Sequence, residues 1–324
     1  MRMTAPKPPS DKEAIVRICS YHRDDFSRLV VHSSPEEMEA VQYSLRAAFS
    51  TPPMASLGIL EQLPDELIAM IIPQLDIHSY FRFRQLNRRA RLVSAEYLKE
   101  YTIIAAHGLE GLRGLLRGNL DHRFTIIDLY RTLITRDCLL CGGFGGFLYI
   151  PSNTRCCFRC INQAEELSLL STTMFYKCAG VRASEAKPYL LASTLRTVPG
   201  HYARMTKPAK RNKYLISVEA ALEALAAHDV VCRPNFPPVT YSRDDPSVER
   251  RRMACTALPW YDPLTAEIER GVNCKGCLRR DNGGMMRAIE RAKKERSFSK
   301  EGFLDHFDNC WRAKDVWNES LSLD

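Results

Sequence analysis

The sequence predicts a mainly α fold with a few small hairpin and loop elements held together by clustered cysteines. Three observations predict it. Apolar residues recur at helical spacing in most of the non-loop chain. Pro, Gly and N-capping residues punctuate those runs. Six of the twelve Cys stand in three CxxC pairs, and in a chain with no expected export signal that clustering points to metal before disulfides. A hydrophobic fraction of 45% is enough for a core, which excludes wholesale disorder. No apolar run approaches the roughly 18 residues needed to cross a bilayer. The opening residues Met1 to Pro9 hold no apolar stretch of the kind a secretory signal needs. The expected compartment is therefore cytoplasmic or nuclear. A formal balance of +8 is compatible with a nucleic-acid or acidic protein partner and demands neither.

Residues 1–58 read as a flexible N-terminal lead, with Pro6, Pro8 and Pro9 at one end and Thr51-Pro52-Pro53 near the other. One helix is expected inside it. Ser34 caps it, Pro35 fits its first position, and Glu36 and Glu37 complement its dipole. Met38, Val41, Leu45 and Phe49 then share a face. Residues 59–97 are the first dense apolar region. Pro64 suits the first turn of a helix, and Asp65 and Glu66 suit its positive end. Leu67, Ile68, Ile71, Ile72 and Leu75 fall on one broad face, and Pro73 ends the run. A second helix begins near Ser79, with Tyr80, Phe81 and Phe83 apolar, and Leu86–Val93 gives a third. Three short helices in about 35 residues are too few for a self-sufficient core. Their apolar positions wrap more than one face, so cover by the rest of the chain or by a partner is expected.

The run Leu63-Pro64-Asp65-Glu66-Leu67, followed by Ile71, Leu75-Asp76, Leu86 and Arg88-Arg89, resembles an F-box. The resemblance implies a three-helix F-box over 59–97 that docks on the Skp-family adaptor of a cullin-RING ubiquitin ligase. It places Leu63, Pro64, Glu66, Leu67, Ile71 and Leu75 at that contact. Tyr80, Phe81 and Phe83 depart from it, standing where the family usually has aliphatic residues.

Residues 98–136 continue as a helical linker region, with Tyr101, Ile104, Ala105, Leu112, Leu115 and Leu116 apolar and Gly108, Gly111, Gly114 and Gly118 as punctuation. In 137–162, Cys138-x2-Cys141 and Cys157-x2-Cys160 have the two-knuckle spacing of a tetrathiolate zinc site. Four thiolates leave no open position for water, so the metal there is structural. Gly142 relieves the turn, and Phe144, Phe147 and Tyr149 suit a short hairpin over the metal. Cys156 is a bystander or exchanges roles with Cys157. A redox CxxC would need a βαβ context that the sequence lacks.

Residues 163–324 read as an α-rich C-terminal region. A helix is expected at 217–228, a Pro-rich loop-like stretch at 232–262 and a basic helix downstream of Cys277. Cys274-x2-Cys277 faces His306 and Cys310, which are four apart and so share one helix face. Together they make a three-Cys, one-His set for a second zinc ion. A core His and a core Cys on an amphipathic helix is the alternative. The intervening cations Arg279, Arg280, Arg287, Arg291, Lys293, Lys294 and Arg296 lack aromatics placed for base stacking and read as a solvated face.

The order from the F-box-like run through Cys141-Gly142-Gly143-Phe144-Gly145-Gly146-Phe147, Cys156-Cys157-Phe158-Arg159-Cys160, Leu258-Pro259-Trp260-Tyr261-Asp262 and Gly271-Val272-Asn273-Cys274 to Phe303-Leu304-Asp305-His306-Phe307 is similar to a group of fungal F-box proteins. That likeness brings no substrate with it. The expected function is a substrate receptor of an SCF-type ubiquitin ligase that presents an unknown target protein and makes or breaks no bond itself. The alternative is a zinc-stabilised nucleic-acid-binding protein, supported by the basic stretches Arg88–Arg91, Lys207–Lys213 and Arg287–Arg296. No Walker loop, HExxH, Gly-x-Ser-x-Gly or dinucleotide fingerprint argues for an enzyme.

Overall fold

The computed structural model describes residues 11–46, 51–203, 207–236, 246–278 and 294–322. The chain opens with α1 (Asp11–Cys19), β1 (Ser20–Tyr21), α2 (Asp24–Ser27) and α3 (Pro35–Arg46). The segment expected as a flexible lead packs on the rest of the chain. Cys19, Phe26, Val30 and Val31 are buried, and the Val31 N–H donates to the Cys255 carbonyl at 2.8 Å. The partners of this segment lie far downstream: the Phe26 ring stacks on Phe158 at 3.7 Å. Met38, Val41 and Leu45 of α3 pack on the main core as the helical spacing predicts, while Phe49 lies outside the described residues.

The 59–97 unit forms α4 (Asp65–Ile71), α5 (Ile77–Arg84) and α6 (Arg88–Glu96). Asp76 caps α5 by accepting from the Ser79 N–H at 2.7 Å, and Asn87 caps α6 by accepting from the Ala90 N–H at 2.8 Å. Pro73 turns the end of α4 into a single 3₁₀ turn. Ile68, Ile72, Ile77, Tyr80 and Val93 sink into the main core, so the unit is not a separate domain. Its aromatic departures face inward: the Tyr80 hydroxyl donates to the Ser94 carbonyl at 3.1 Å, and its ring lies 5.2 Å from that of Tyr101.

Next come α7 (Lys99–His107), α8 (Leu109–Arg117) and α9 (Ile126–Ile134), the last opened by a Thr125–Asp128 capping box. Gly111 and Gly114 do more than punctuate. They let α8 lie directly on the sheet that follows: a Cβ on Gly114 would sit 2.9 Å from Thr256 Cγ2, and one on Gly111 2.9 Å from Leu258 Cδ1. That sheet is antiparallel, with β2 (Phe147–Tyr149) between β3 (Thr154–Cys156) and a strand from much later in the chain.

After β3 come α10 (Phe158–Gln163) and a small α/β subassembly of β4 (Leu169–Ser171), α11 (Thr172–Ala179), α12 (Ala183–Leu190), β5 (Leu195–Arg196), β6 (Tyr214–Ser217) and α13 (Val218–Ala226). Its strands run in the order β4-β6-β5 around Phe175, Leu190, Ile216 and Leu225. The expectation of a loop over 232–262 fails for its second half. There α14 (Pro246–Met253) leads into β7 (Cys255–Ala257), the third strand of the β3-β2-β7 sheet, and then into β8 (Trp260–Tyr261). Residues 237–245 lie outside the described residues. The chain closes with β9 (Ile268–Glu269), β10 (Asn273–Cys274), α15 (Lys275–Leu278), α16 (Lys300–Asn309) and α17 (Trp311–Leu321). Most of the predicted basic helix, residues 279–293, is likewise outside the described residues. Among the described residues, no helix is long and apolar enough to cross a membrane.

Candidate metal centres

All twelve Cys are free thiols, and eight side chains gather in two quartets. The first forms where the chain leaves α9. The Gly142 N–H donates to the Cys138 carbonyl at 2.9 Å, and the Cys138 N–H donates to the Gly143 carbonyl at 2.6 Å. This knuckle needs a left-handed residue, and Gly142 supplies it with φ 68°. The second arm is a strand end. Side chains alternate along β3, so Cys156 turns into the core beside Cys255 while Cys157 turns to the knuckle. That settles which of the adjacent pair joins the quartet. Cys157 then caps α10, its Sγ accepting from the Cys160 N–H at 3.4 Å, and one helical turn brings Cys160 back beside it.

The ligand atoms of Cys138, Cys141, Cys157 and Cys160 all lie within 4.8 Å of one another. Cys141 Sγ and Cys157 Sγ are 3.6 Å apart. A tetrahedral metal with bonds near 2.3 Å has sulfur–sulfur edges of about 3.8 Å, whereas a disulfide needs about 2.05 Å. Hydrogen bonds from Cys157 and Cys160 hold Cys138 well below the ordinary thiol range. The bond to Cys138 pushes Cys157 up to about 12, and the bonds to Cys138 and Cys157 push Cys160 higher still. Only a cation among the four sulfurs lets all of them ionise together.

Arg155 braces this centre, and the sequence reading missed it. It is buried and donates from Nε to the Thr132 carbonyl at 2.9 Å. Its Nη1 reaches Leu258 O at 3.1 Å and also Gly145 O. Its Nη2 reaches Leu133 O at 3.2 Å and Pro259 O at 2.8 Å. It thereby ties the end of α9, the knuckle loop and the exit of β7. Gly145 is glycine because a Cβ there would meet Arg155 Cγ at 2.5 Å.

The second quartet is Cys274, Cys277, His306 and Cys310, again with all ligand atoms within 4.8 Å. The Cys277 N–H donates to Cys274 Sγ at 3.4 Å. Cys277 Sγ lies 3.5 Å from His306 Nε2 and 3.8 Å from Cys310 Sγ. Ser299 caps α16 by accepting from the Gly302 N–H at 3.0 Å, and the His306 ring stacks on Phe298 at 4.6 Å. A hydrogen bond from Cys277 lowers Cys274 to about 4, while the bond to Cys274 drives Cys277 far up. Gly276 lets the knuckle press on α17: a Cβ there would meet the Ala313 backbone nitrogen at 2.5 Å.

The N-terminal segment completes this second centre. β1 pairs with β10, Ser20 opposite Cys274, and Lys275 Nζ donates to the Ile18 carbonyl at 2.6 Å. Cys19 is fully buried against the quartet. Burial first, and then the neighbouring Cys274, push its thiol up to about 11, so it stays protonated outside the ligand set. Nothing in the sequence signals this role, because Cys19 stands alone in its region.

Both quartets can hold a metal ion. The residues expected to meet a partner sit elsewhere. Pro64, Glu66, Leu67 and Ile71 are exposed, while Leu63 and Leu75 are half-buried on the main core. Compared with family models, curated proteins and solved structures, the chain finds no match.

Proposed function

We propose that the chain is the substrate-receptor subunit of an SCF-type cullin-RING ubiquitin ligase, with a structural zinc ion in each quartet. One observation carries the reading: the 59–97 unit leaves an apolar face uncovered. Leu67, Met70 and Ile71 stand at i, i+3 and i+4 on α4, with exposures of 44%, 68% and 45%. Ile59 before that helix is 82% exposed, and Leu86, which links α5 and α6, is 68% exposed. A helix that buries Ile68, with Ile72 buried just past its end, and presents three large apolar residues on the other side suits two neighbours, its own core and another protein. The F-box resemblance names that protein as the Skp-family adaptor. Leu63 and Leu75, half-buried, set the edge of the face.

Zinc suits both donor sets, because soft thiolates with one imidazole in a closed tetrahedron leave no position for substrate or water. On this reading no side chain of the protein attacks a bond. The receptor acts by holding a target lysine near a ubiquitin thioester carried by another subunit.

The test is capture by the purified Skp-family adaptor. The wild-type chain is expected to be retained. The triple variant Leu63→Ala, Pro64→Ala, Leu67→Asp is expected to be lost while keeping its metal content. Equal retention of both would remove the proposal.

A further inference from the structure

Residues 186–218 carry seven Lys and Arg and no Asp or Glu. The stretch is thus nearly as positive as the whole chain, whose excess is eight. The stretch is built on the β5–β6 hairpin. Leu195 and Leu215 pair and are buried, while the next pair, Arg196 and Tyr214, stands exposed. The ladder then continues outward. The Thr197 N–H donates to the Lys213 carbonyl at 2.8 Å, and the Lys213 N–H donates to Thr197 Oγ1 at 2.7 Å. Gly200 and Ala209 exchange two backbone bonds of 3.0 and 2.8 Å. Tyr202 is buried, donates its hydroxyl to the Val198 carbonyl at 2.6 Å and accepts from Arg252 Nη1 at 3.0 Å.

The cations therefore ride on a braced frame, which lowers the ordering cost of binding. Arg196, Lys207, Lys210, Arg211 and Lys213 are all exposed. Among the described residues none of the five is in an ion pair. Crowded like charges destabilise the compact state, and among the described residues no carboxylate pairs with these. An external anion would relieve them.

We propose that this hairpin docks an acidic segment of a protein. On the receptor reading above, on which this assignment of the partner rests, the segment belongs to the target. Carboxylates spaced along an extended chain match ammonium and guanidinium groups spaced along a ladder. Nucleic acid fits less well. Tyr214 is the one exposed Phe, Tyr or Trp among the described residues of the hairpin, whereas single strands are held on successive aromatic platforms.

The experiment uses the full-length, metal-loaded chain and a fluorescein-labelled peptide of Glu and Asp, read by anisotropy. Binding is expected at low salt and is expected to weaken by at least about tenfold at physiological salt or above. The variant Lys210→Glu, Arg211→Glu, Lys213→Glu is expected to lose the acidic peptide by at least about tenfold and to gain binding of a Lys peptide of equal length. Zinc content and circular dichroism equal to those of the wild type show that the variant is folded. Acidic-peptide binding within about twofold of wild type by this variant would overturn the proposal. So would tighter binding by the wild type to a single-stranded oligonucleotide than to the peptide. Adaptor capture is read on the same preparations. Its failure with peptide binding intact removes the ligase reading and leaves the acidic preference of the hairpin standing.

Discussion

Arg155 carries a charge in the interior with no carboxylate bonded to it. Burial pushes it down to about 9, which still leaves it protonated at neutral pH, and five backbone carbonyls satisfy its donors. Two of them, from Thr132 and Leu133, lie at the end of α9, where a cation also complements the helix dipole. Lysine is a point charge and reaches few of those acceptors. We expect Arg155→Lys to cost about 3 kcal/mol or more in urea denaturation; a loss below about 0.5 kcal/mol would contradict the bracing role. The thiols give a second prediction at this scale. In the metal-free first quartet Cys157 and Cys160 hold their protons at neutral pH, because their folded values lie far above it. Zinc needs thiolates, so loading that centre must release at least two protons. Affinity therefore rises with pH and falls on acidification. Calorimetric zinc titration at pH 7 in buffers of different ionisation enthalpy reads the released protons, and a heat independent of buffer would contradict this.

Two glycines separate conformational strain from steric contact within the knuckle elements. Gly142 has φ 68° and open space around its Cα, whereas Gly276 faces the backbone of α17. Gly142→Ala is expected to cost about 1 kcal/mol while both metals stay bound. Gly276→Ala drives a methyl into Arg312 and Ala313, so the second quartet should open. Native mass spectrometry should then find two zinc ions in the first variant and one in the second; two in both would contradict the close packing of α15 on α17. Elements with strong local signals were legible in the sequence. Ser34 before α3, whose Oγ accepts from the Glu37 N–H at 3.2 Å, and Pro73 after α4 mark boundaries through effects confined to a few residues. β7 was not legible, because Cys255-Thr256-Ala257 is too short to show a period and exists only through its pairing with β2. The glycines of α8 read as breaks for the same reason, since their use lies in contact with Thr256 and Leu258.

Across the whole molecule, the N-terminal segment straps the second quartet to the 59–97 unit. Its α1 and β1 pack on α16, α17 and β10, and the end of α3 is clamped by Arg84, whose Nη2 donates to the Leu45 carbonyl at 2.8 Å, and by Arg91 on the Ser44 carbonyl. Ile15→Asp with Val16→Asp should therefore free α1 and speed hydrogen exchange in α16 and α17; unchanged exchange there would show that the strap is dispensable. The eight metal-binding candidates were legible because knuckle spacing and an i, i+4 pair are local. The contributions of Cys19, Lys275 and Arg155 were not, because each acts through contacts that only the folded chain creates. The apolar face of α4 was legible in part: the motif pointed to Leu67 and Ile71, while the exposure of Met70, Ile59 and Leu86 emerged only once Ile68 and Ile72 had been placed inward. Docking through that face is the central claim, and the direct measurement is a calorimetric titration of the zinc-loaded chain with purified Skp-family adaptor. The account predicts a saturable one-to-one isotherm for the wild type, abolished by Leu67→Asp with Met70→Asp at unchanged zinc content. No binding by the folded wild type, or equal binding by both proteins, would contradict it.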